Sequence, residues 1–314
     1  MGASDRREAR VGELYEDLRP LMFSIAYRML GTASEAEDIV QEAFLRFHRE
    51  TARGTVVDSP KAYLSAVTTR LSIDHLRSAR VRRERYVGTW LPEPLLTDTA
   101  PDVAQHAETA DSLSMAFLVL LESLSPVERA VFLLREVFDY GYDEIAPIVG
   151  KSEQNCRQIA VRARRQIEAK RPRFQASRMR REELARRFFE AVTKGDAAGL
   201  ESLLAADVVA YGDGGGRAPA LPRPVYGRER IARLLLGPAA QRNRERLAVA
   251  GMRSVAINGQ PGAVFLDPEG RPVAVVTLDI ADDLVQTVRF VSNPDKLRHL
   301  GANVGPAGPA AIRR

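Results

Sequence analysis

The stretch Tyr142–Arg165, YDEIAPIVGKSEQNCRQIAVRARR, has the pattern of two short helices joined by a tight turn. Apolar residues recur at i, i+3 and i+4 spacings, which predicts one buried face on each helix. Gly150 stands where a helix C-terminus favours positive φ, and Ser152 stands where the next helix needs an N-cap. The expected buried residues are Ile145, Ile148, Val149, Cys156, Ile159, Ala160 and Ala163. The stretch therefore predicts a helix-turn-helix.

The second of these helices is rich in polar and basic residues on its other faces. A helix-turn-helix places its second helix in the DNA major groove, with N-terminal residues against base edges. Arginines further along such a helix can hold phosphates and fix the register. The candidate DNA-contacting residues are Ser152, Glu153, Gln154, Asn155, Arg157, Gln158, Arg162 and Arg165. A charged surface helix in an ordinary bundle would show the same pattern, so the rest of the chain must decide.

The composition sets limits on the class of protein. A length of 314 residues predicts two or three domains, and 46 Lys+Arg against 41 Asp+Glu is only a modest basic excess. The single cysteine, Cys156, excludes disulfides within the chain and zinc sites built from cysteines. No signal-peptide pattern and no run of 18 apolar residues occurs, so we expect a soluble, cytoplasmic protein without membrane contact. The histidines have no metal-ligand spacing, so we expect no metal and no cofactor.

The order of helical and strand-like patterns predicts two all-α domains followed by an α+β domain. The predicted boundaries are 12–88 and 109–172 for the helical domains, 89–108 for a linker containing WLPEP, 178–300 for the α+β domain, and 301–314 for a disordered tail. Three helix starts show capping patterns: Ser34 with Glu37, Ser59-Pro60 opening a helix to about Ser78, and Ser125-Pro126 with Glu128.

The α+β domain is expected to hold a curved antiparallel sheet. A helix over 182–193 leads into Gly195-Asp196 and a short helix that ends near Ala206. The predicted strands are 247–252, 254–257, 263–266, 272–280 and 284–291, and the predicted turns are Asn258-Gly259, Pro261-Gly262 and Glu269-Gly270.

Charged residues cluster with opposite signs on two predicted helices. The helix from Ser34 carries Glu35, Glu37, Asp38, Gln41 and Glu42, an acidic ridge suited to docking on a basic partner. The alternative is a solvated face, because acids in a first turn already favour the helix dipole. Between Arg70 and Arg85 six arginines stand against Asp74 and Glu84, a balance that suits a phosphate backbone.

These segments together resemble an extracytoplasmic-function (ECF) sigma factor of bacterial RNA polymerase. EAEDIVQEAFLRFHR is similar to the region 2 helix of that family, PKAYLSAVTTRLSIDHLRSARVRRER to its −10 segment, and LSPVERAVFLLREVFDYGYDEIAPIVGKSEQNCRQIAVRARRQI to its region 4. The resemblance implies docking on the polymerase β′ clamp helices and β flap, and binding to promoter DNA without a homodimer. The implied core-binding residues are Glu37, Asp38, Gln41 and Glu42, and the implied −10 residues are Arg70, Asp74, Arg77, Arg80, Arg82 and Arg83.

Two departures from the family concern the choice of promoter. Arg70 and Tyr63 stand where the −10 helix of the family often has asparagine and tryptophan. Recognition of a flipped base needs a shaped pocket with stacking and edge contacts. The promoter preference of the family therefore does not carry over to this chain.

The remaining motifs resemble the SigJ-like subgroup, whose members carry a fused SnoaL-like domain, a cone-shaped α+β barrel. FFEAVTKGDAAGLESLLAADVVAYGDGGG and PVYGRERIARLLLG are similar to the start of that domain. The resemblance implies that this domain tunes the sigma regions in cis, in place of a separate anti-sigma factor. The implied interdomain residues are Trp90, Pro92, Asp213, Gly214, Gly215, Gly216, Arg217, Asn293, Pro294 and Asp295. We expect Asp213 and Arg217 to be exposed, although the glycine run also suits a loop that simply needs positive φ.

Enzymatic interpretations are less well supported by the residues. Asp207, Tyr211 and Asp213 lie near the expected mouth of the barrel, but His299 is the only histidine of the domain and no nucleophile–base pair is visible. Gly150-Lys151-Ser152 imitates the end of a P-loop, yet Ile145 occupies the position of its first glycine. We therefore expect that the protein is not an enzyme. The alternative function is a helical adaptor fused to a ligand-binding or catalytic SnoaL-like domain.

Overall fold

The computed structural model describes residues 3–83, 86–97, 110–169 and 177–301, with the side chains of 3–11, 79–83 and 110–111 left out. Within these residues the chain forms two compact units, each with its own core. Among the described residues, one unit consists of residues 3–82, 110–112 and 117–169, and the other of residues 83, 86–97, 113–116 and 177–301. The predicted tail beyond Gly301 and the second half of the predicted linker lie outside the described residues. No helix in the described ranges is long and apolar enough to cross a membrane.

The first unit is entirely helical. The helices that lie wholly or mostly in it are α1 (Ala3–Leu30), α2 (Ala33–Ala52), α3 (Pro60–Arg83), α4 (Met115–Leu121), α5 (Pro126–Glu136), α6 (Tyr142–Val149) and α7 (Glu153–Glu168), with a 3-10 turn at Ala110–Leu113. The apolar stripe of α1, with Met22, Ile25 and Met29 fully buried, faces the apolar side of α2. Burial of these faces supplies most of the stability of a helical unit, because intrinsic helix propensity is weak.

The helix-turn-helix prediction is confirmed in its local detail. Gly150 ends α6 in the left-handed conformation with φ of 66°, and the Ser152 hydroxyl accepts a hydrogen bond from Asn155 N. The predicted apolar residues are buried, except that Val149 is only partly so, and most of them form one small core with Val131 and Leu134 of α5. The local signals sufficed here because each of them acts within one or two helical turns.

Of the three predicted helix starts, two are confirmed and one is wrong. Ser125 and Glu128 form the predicted capping box, and Ser59 caps α3 at Ala62 N. The predicted box of Ser34 and Glu37 is wrong, because α2 begins at Ala33 and Glu37 instead pairs with Arg19. Helix α3 also continues past the predicted end near Ser78, to Arg83.

The second unit is an α+β domain built on one sheet of six strands. Its elements are α8 (Arg178–Lys194), α9 (Ala197–Leu203), β1 (Leu204–Asp213), β2 (Val225–Tyr226), α10 (Arg228–Leu236), α11 (Pro238–Arg246), β3 (Gly251–Ile257), β4 (Gln260–Leu266), β5 (Pro272–Ala281), β6 (Leu284–Val291) and α12 (Pro294–Leu297), followed by a 3-10 turn at Arg298–Leu300. The strand order is β2-β1-β6-β5-β4-β3. Helices α8, α9 and α10 cover one face, with Phe188, Leu200 and Ile231 buried against it.

The pairing of the sheet differs from the prediction. The sheet is mixed rather than antiparallel, because β1 pairs in parallel with β6. Strand β1 was not predicted, since a register shift between Leu204 and Val209 interrupts the alternation of its buried residues. The helix before it ends at Leu203 rather than near Ala206, so the end of the predicted helix belongs to the strand.

Two predicted boundaries within the sheet are also wrong. The predicted turn at Pro261-Gly262 lies inside β4, where a Cβ on Gly262 would come within 2.5 Å of the Val276 carbonyl oxygen. Glycine there allows the two strands to approach closely rather than turn. The predicted strand over 247–252 begins only at Gly251.

The turn at Gly150 provides a test of the helical unit. We expect Gly150→Ala to lower its free energy of unfolding by about 1–2 kcal/mol, because a Cβ there meets no atom within 4 Å and the cost is the left-handed conformation alone. Gly12, which also has free space around a Cβ but lies inside α1, is the matched control, and Gly12→Ala should be neutral or stabilising. Circular dichroism at the helical band follows the helices, while Trp90, the single tryptophan, reports on the second unit. An unchanged helical transition in Gly150→Ala would contradict the prediction.

Candidate DNA interface and regulatory cluster

The candidate −35 residues all lie on the exposed side of α7. Arg157 forms an ion pair with Glu153 at 3.1 Å, and its guanidinium lies 5.1 Å from the centre of the Tyr142 ring. These two contacts limit the rotamers of Arg157, which is the pre-organisation that a base-contacting side chain benefits from. Arg162 and Arg165 are exposed further along the helix, where a positive charge can meet a phosphate.

The acidic ridge of α2 is narrower than the sequence indicates. Glu37 is paired with Arg19 at 2.6 Å, and Glu42 with Arg46 at 2.7 Å. The hydrogen bond from Arg46 also lowers the pKa of Glu42. Of the four predicted core-binding residues, only Asp38 and Gln41 are exposed and form no ion pair with another described residue.

An exposed leucine lies beside these two residues. Leu45 keeps 49% of its surface accessible. Asp38, Gln41 and Leu45 follow one another at i, i+3 and i+7, so they share one side of the helix. A face with a carboxylate, an amide and an exposed leucine suits a protein partner better than four acids would. Leu45 was not predicted, because its exposure depends on how α2 packs against α1.

The candidate −10 residues on α3 are partly engaged within the helical unit. Arg70 donates hydrogen bonds to the carbonyl oxygens of Pro147 and Ile148, at 2.7 and 3.1 Å. Those carbonyls belong to the C-terminal turn of α6, where the helix dipole favours a cation. Asp74 and Arg77 pair with each other on the surface. The side chains of Arg80, Arg82 and Arg83 lie outside the described residues.

Buried polar contacts also join helices α1 and α3 to the part of the helical unit that follows Ala110. The hydroxyls of Ser65 and Tyr140 share a hydrogen bond of 2.6 Å, and Arg129 donates to the Met29 carbonyl oxygen at 2.7 Å. Arg28 is almost fully buried, and burial lowers its pKa to about 10. Its guanidinium donates to the carbonyl oxygen of Ser112. Buried charges with several hydrogen-bond partners define one packing arrangement, since any other arrangement would leave them unsatisfied.

The second unit contains a cluster around the carboxylate of Asp213, at the end of β1. Asp213 is 1% exposed, so the prediction that it lies on the surface is wrong. One of its oxygens accepts hydrogen bonds from the Tyr86 hydroxyl and from Gly215 N, at 2.5 and 3.1 Å. The other accepts from Leu91 N and from the Lys296 ammonium, each at 2.8 Å. Four donors on one carboxylate compensate its loss of hydration.

Lys296 is the counter-ion of this cluster and is itself only 5% exposed. Besides Asp213, its ammonium donates to the Leu91 carbonyl oxygen. It lies 4.4 Å from the centre of the Trp90 ring and 5.0 Å from that of Tyr86, which are cation–π distances. Lys296 and Tyr86 were not predicted, although Lys296 lies next to the predicted residues Asn293 to Asp295, because nothing local shows that a lysine is buried.

The loop after β1 and the start of α12 complete the cluster. Asn293 donates from its side chain to the Tyr86 hydroxyl at 2.8 Å, and its backbone N donates to the Asp213 carbonyl oxygen. A Cβ on Gly215, whose φ is 57°, would meet the Asn293 amide at 2.3 Å, so glycine is required for both reasons. Burial and the hydrogen bond to Asp213 raise the pKa of Tyr86.

The cluster also has an ion pair on its surface, between Arg217 and Asp295. Arg217 is exposed as predicted, and it pairs with Asp295 at 3.0 Å. Both residues are open to solvent, so this ion pair contributes little to stability. It joins the loop after β1 to the start of α12.

The predicted linker is a bound segment where the structure describes it. The residues Leu91, Pro92, Glu93 and Pro94 are buried, and the segment continues along the β3–β4 hairpin. Leu95 N donates to the Asn258 side chain at 2.9 Å, and Thr97 N donates to the Ala256 carbonyl oxygen at 3.0 Å. His299 contacts the Pro94 carbonyl oxygen at 2.7 Å. The predicted interdomain residues therefore belong to one unit: Trp90, Pro92, Asp213, Gly214, Gly215, Gly216, Arg217, Asn293, Pro294 and Asp295.

The residues considered for catalysis do not come together. Asp207 is exposed, Asp213 is saturated by its four donors, and His299 is bound to the Pro94 carbonyl. Burial raises the pKa of Tyr211, whose ring centre lies 5.9 Å from the Arg289 guanidinium. Among the described residues no group of three His, Cys, Asp or Glu side chains could hold a metal ion.

Comparison with known proteins identifies the helical unit. The model of Sigma-70 region 2 matches residues 14–82, and the model of Sigma-70 region 4 matches residues 114–167. The ECF RNA polymerase sigma factor SigJ of Mycobacterium tuberculosis is 37% identical over 290 residues, which are 90% of this chain and 91% of that protein. This chain belongs to the ECF sigma factors of RNA polymerase. The resemblance drawn from the sequence is confirmed.

The similarity of this sigma factor extends through its C-terminal unit. The probable ECF sigma factor SigI of M. tuberculosis is 32% identical over 289 residues, 91% of this chain and 94% of that protein. The crystal structure of M. tuberculosis SigJ covers 90% of this chain and 97% of its own, with a TM-score of 0.71 and 34% identity. The predicted fold class of two all-α regions followed by an α+β domain is confirmed, and a helical adaptor is set aside.

The buried pair of Asp213 and Lys296 generates a prediction about stability. We expect Lys296→Met to lower the free energy of unfolding of the C-terminal unit by about 3–5 kcal/mol, because the change leaves a buried carboxylate without its counter-ion. Lys194→Met removes an exposed, paired lysine of the same unit and should cost less than about 1 kcal/mol. Trp90 fluorescence during urea unfolding measures both.

A double variant separates the effect of the two charges on stability from the effect of packing. Asp213→Asn combined with Lys296→Met removes both charges, so the double variant should be more stable than the sum of the two single effects implies. Equal costs for Lys296→Met and Lys194→Met would show that the buried pair contributes nothing.

Proposed function

We propose that this sigma factor docks on the polymerase through α2 and reads its promoter at two places, and that its C-terminal unit modulates initiation in cis. The docking face is Asp38 and Gln41, flanked by Glu37, Glu42 and Leu45, and its partner is the β′ clamp helices. Region 4 binds the β flap. The observation that carries the modulation is the Asp213 cluster, which holds the segment connecting regions 2 and 4.

The two DNA contacts are assigned to the two basic surfaces. Region 2 contacts the −10 element with Arg70, Asp74, Arg77, Arg80, Arg82 and Arg83. Region 4 contacts the −35 element with Ser152, Glu153, Gln154, Asn155, Arg157 and Gln158, and it holds phosphates with Arg162 and Arg165. The exposure of α7 and the fork geometry of arginine support this assignment.

The distance between the −10 and −35 elements explains how the C-terminal unit can influence initiation. The −10 and −35 elements are about 25 base pairs apart, or roughly 85 Å at about 3.4 Å per base pair. A compact unit of about 150 residues has a radius of gyration of about 15 Å, so the packed helical unit cannot reach both elements. Binding at both therefore needs the contacts between regions 2 and 4 to open, those of Arg70 with α6 and the buried ones of Ser65 and Arg129 alike.

The connecting chain has little length to spare. Residues 84–109 join α3 to the first turn of region 4, and about 26 residues reach at most about 85 Å when fully extended. As long as the Tyr86–Thr97 segment stays on the C-terminal unit, nearly half of these residues are held in one conformation and cannot extend further. The C-terminal unit can thus control how far regions 2 and 4 separate without touching DNA. It acts by binding and not by catalysis, in the cytoplasm where the polymerase works.

The docking and DNA surfaces are tested by one crossed experiment. We expect Asp38→Ala with Gln41→Ala to weaken binding to core polymerase about tenfold or more, and to leave the folding of the free protein nearly unchanged, since both side chains are exposed. Arg157→Ala should leave core binding unchanged and lower transcription that depends on the −35 element by a similar factor. Fluorescence anisotropy of the labelled sigma factor measures the first effect, and run-off transcription the second.

The control for this experiment is Asp17→Ala, which removes an exposed acid from α1. Core affinity should be unaffected by it. A loss of core affinity in Arg157→Ala, or none in the α2 variant, would contradict the assignment of the two helices.

The modulation in cis is tested at Tyr86. Tyr86→Phe keeps the ring and removes the hydroxyl that donates to Asp213 and accepts from Asn293. A hydrogen bond to a charged group contributes about 1.5–3 kcal/mol, so release of the segment should become at least about tenfold easier. We expect a changed transcript yield in run-off transcription at an unchanged start site.

Tyr226→Phe is the matched control, because Tyr226 lies in the same unit and is 57% exposed. Its transcript yield should equal that of the unchanged protein. If Trp90 fluorescence shows release of the segment in Tyr86→Phe while the yield stays the same, modulation through this segment is ruled out.

A further inference from the structure

The C-terminal unit contains an apolar cavity between its sheet and the helices α8, α10 and α11. Its volume is about 150 Å³. Cavities of about this size with leucine, isoleucine and phenylalanine walls admit a molecule such as benzene. The walls here are of the same kind and include Phe188, Val192, Leu221, Leu235, Phe265 and Phe290. The cavity therefore has the size and the lining for one hydrocarbon ring.

One cationic side chain, Arg244, lies in this apolar wall. It is half-buried, and loss of hydration lowers its pKa. Its guanidinium donates to the Leu235 carbonyl oxygen at 3.3 Å, which uses one of five N–H donors. Among the described residues no carboxylate contributes to the pKa of Arg244. An arginine in this setting gains most from an anion that supplies two oxygens in one plane.

We propose that this cavity binds a small carboxylic acid with a single apolar ring, the ring inside the cavity and the carboxylate on Arg244. Asn243 adds a side-chain amide beside the same wall. A carboxylate fits better than a phosphate because the lining offers one cation, and a dianion would need a second.

The cavity shares a wall with the Asp213 cluster. Ser292 lines the cavity and donates from its backbone N to the Asp213 carbonyl oxygen at 2.8 Å. Its hydroxyl donates to the carbonyl oxygen of Pro219, another lining residue, at 2.7 Å. A Cβ on Gly212 would come within 2.6 Å of Leu221 N, so the wall and the end of β1 are in close contact. A ligand that shifts this wall would act on the cluster that holds the Tyr86–Thr97 segment. This second step, though not the binding itself, rests on the proposed modulation in cis.

Binding is tested on the full chain with matched pairs of probes. Benzoate, phenylacetate and cyclohexanecarboxylate are compared with their carboxamides by isothermal titration calorimetry. We expect at least one acid to bind saturably and its amide to bind at least about tenfold more weakly, because the amide cannot form the charged pair with Arg244. Saturable binding by none of the three acids, or equal binding of acid and amide, would overturn the proposal. Tighter binding of phenylphosphonate than of every acid would overturn the choice of carboxylate.

Substitutions in and near the cavity test whether the ligand binds at the proposed position. Arg244→Met should abolish the preference for the acid, whereas Arg242→Met, at an exposed position of the same helix, should keep it. Ala274→Phe fills the cavity and should abolish binding of acid and amide alike. Ala240→Leu serves the same purpose if Ala274→Phe does not fold. An acid that still binds with its preference in Arg244→Met occupies another site, and the proposal fails.

The effect of the bound acid on transcription is measured in a separate experiment. Addition of the bound acid should change the run-off transcript yield of the unchanged protein and leave Arg244→Met unaffected. Binding without a change in yield overturns the coupling and leaves the site in place. A yield that does not respond to Tyr86→Phe either would locate the failure in the modulation in cis instead.

Discussion

The charge of Asp213 is the constraint on which the C-terminal unit depends. A carboxylate at 1% exposure is tolerated only when its hydrogen-bond capacity is filled, and here four donors fill it, three of them from distant parts of the chain. Tyr86 and Leu91 come from the segment after region 2, Gly215 from the loop after β1, and Lys296 from α12. Removing any one of these segments would take away at least one of the four donors that compensate the buried charge. The motifs WLPEP (90–94), DGGGR (213–217) and NPDKL (293–297) thus form one structural element although about 200 residues separate the first from the last.

The helical unit uses buried arginines in a comparable way. Arg28 and Arg129 are 1% and 3% exposed, and each donates to backbone oxygens of other segments. Replacing such groups by well-packed apolar residues is often neutral or stabilising, so their contribution lies in selecting one arrangement more than in stability. The contact of Arg70 with the end of α6 differs, since Arg70 is exposed and the contact is a surface one. The arrangement therefore combines a specific buried interface with a rim that a competing phosphate can displace.

The parts that could be predicted from the sequence depend on neighbours in the chain. Gly150 and Ser152 act within one turn of their helices, so the helix-turn-helix was predicted in detail. Strand β1 was missed because a bulge breaks its alternation, and its pairing with β6 is a contact between residues about 80 positions apart. The burial of Asp213 was missed for the same reason, since a glycine-rich loop beside a carboxylate has the pattern of a surface turn. The family resemblance indicated which residues belong to the Asp213 cluster. The hydrogen bonds and the ion pair among them could be found only in the structure.

The burial of Asp213 changes what the motif can do. A carboxylate on an exposed loop could regulate by touching region 2 or region 4 directly, whereas a buried one acts through what it holds. It holds the Tyr86–Thr97 segment, whose two ends lead to region 2 and to region 4. In the proposed modulation in cis, a signal that weakens the cluster lengthens the free chain between the two DNA-binding regions, and a signal that strengthens the cluster shortens it. The sign of this proposed regulation then follows from the promoter, because a longer free chain helps only where the two elements lie far enough apart to need it.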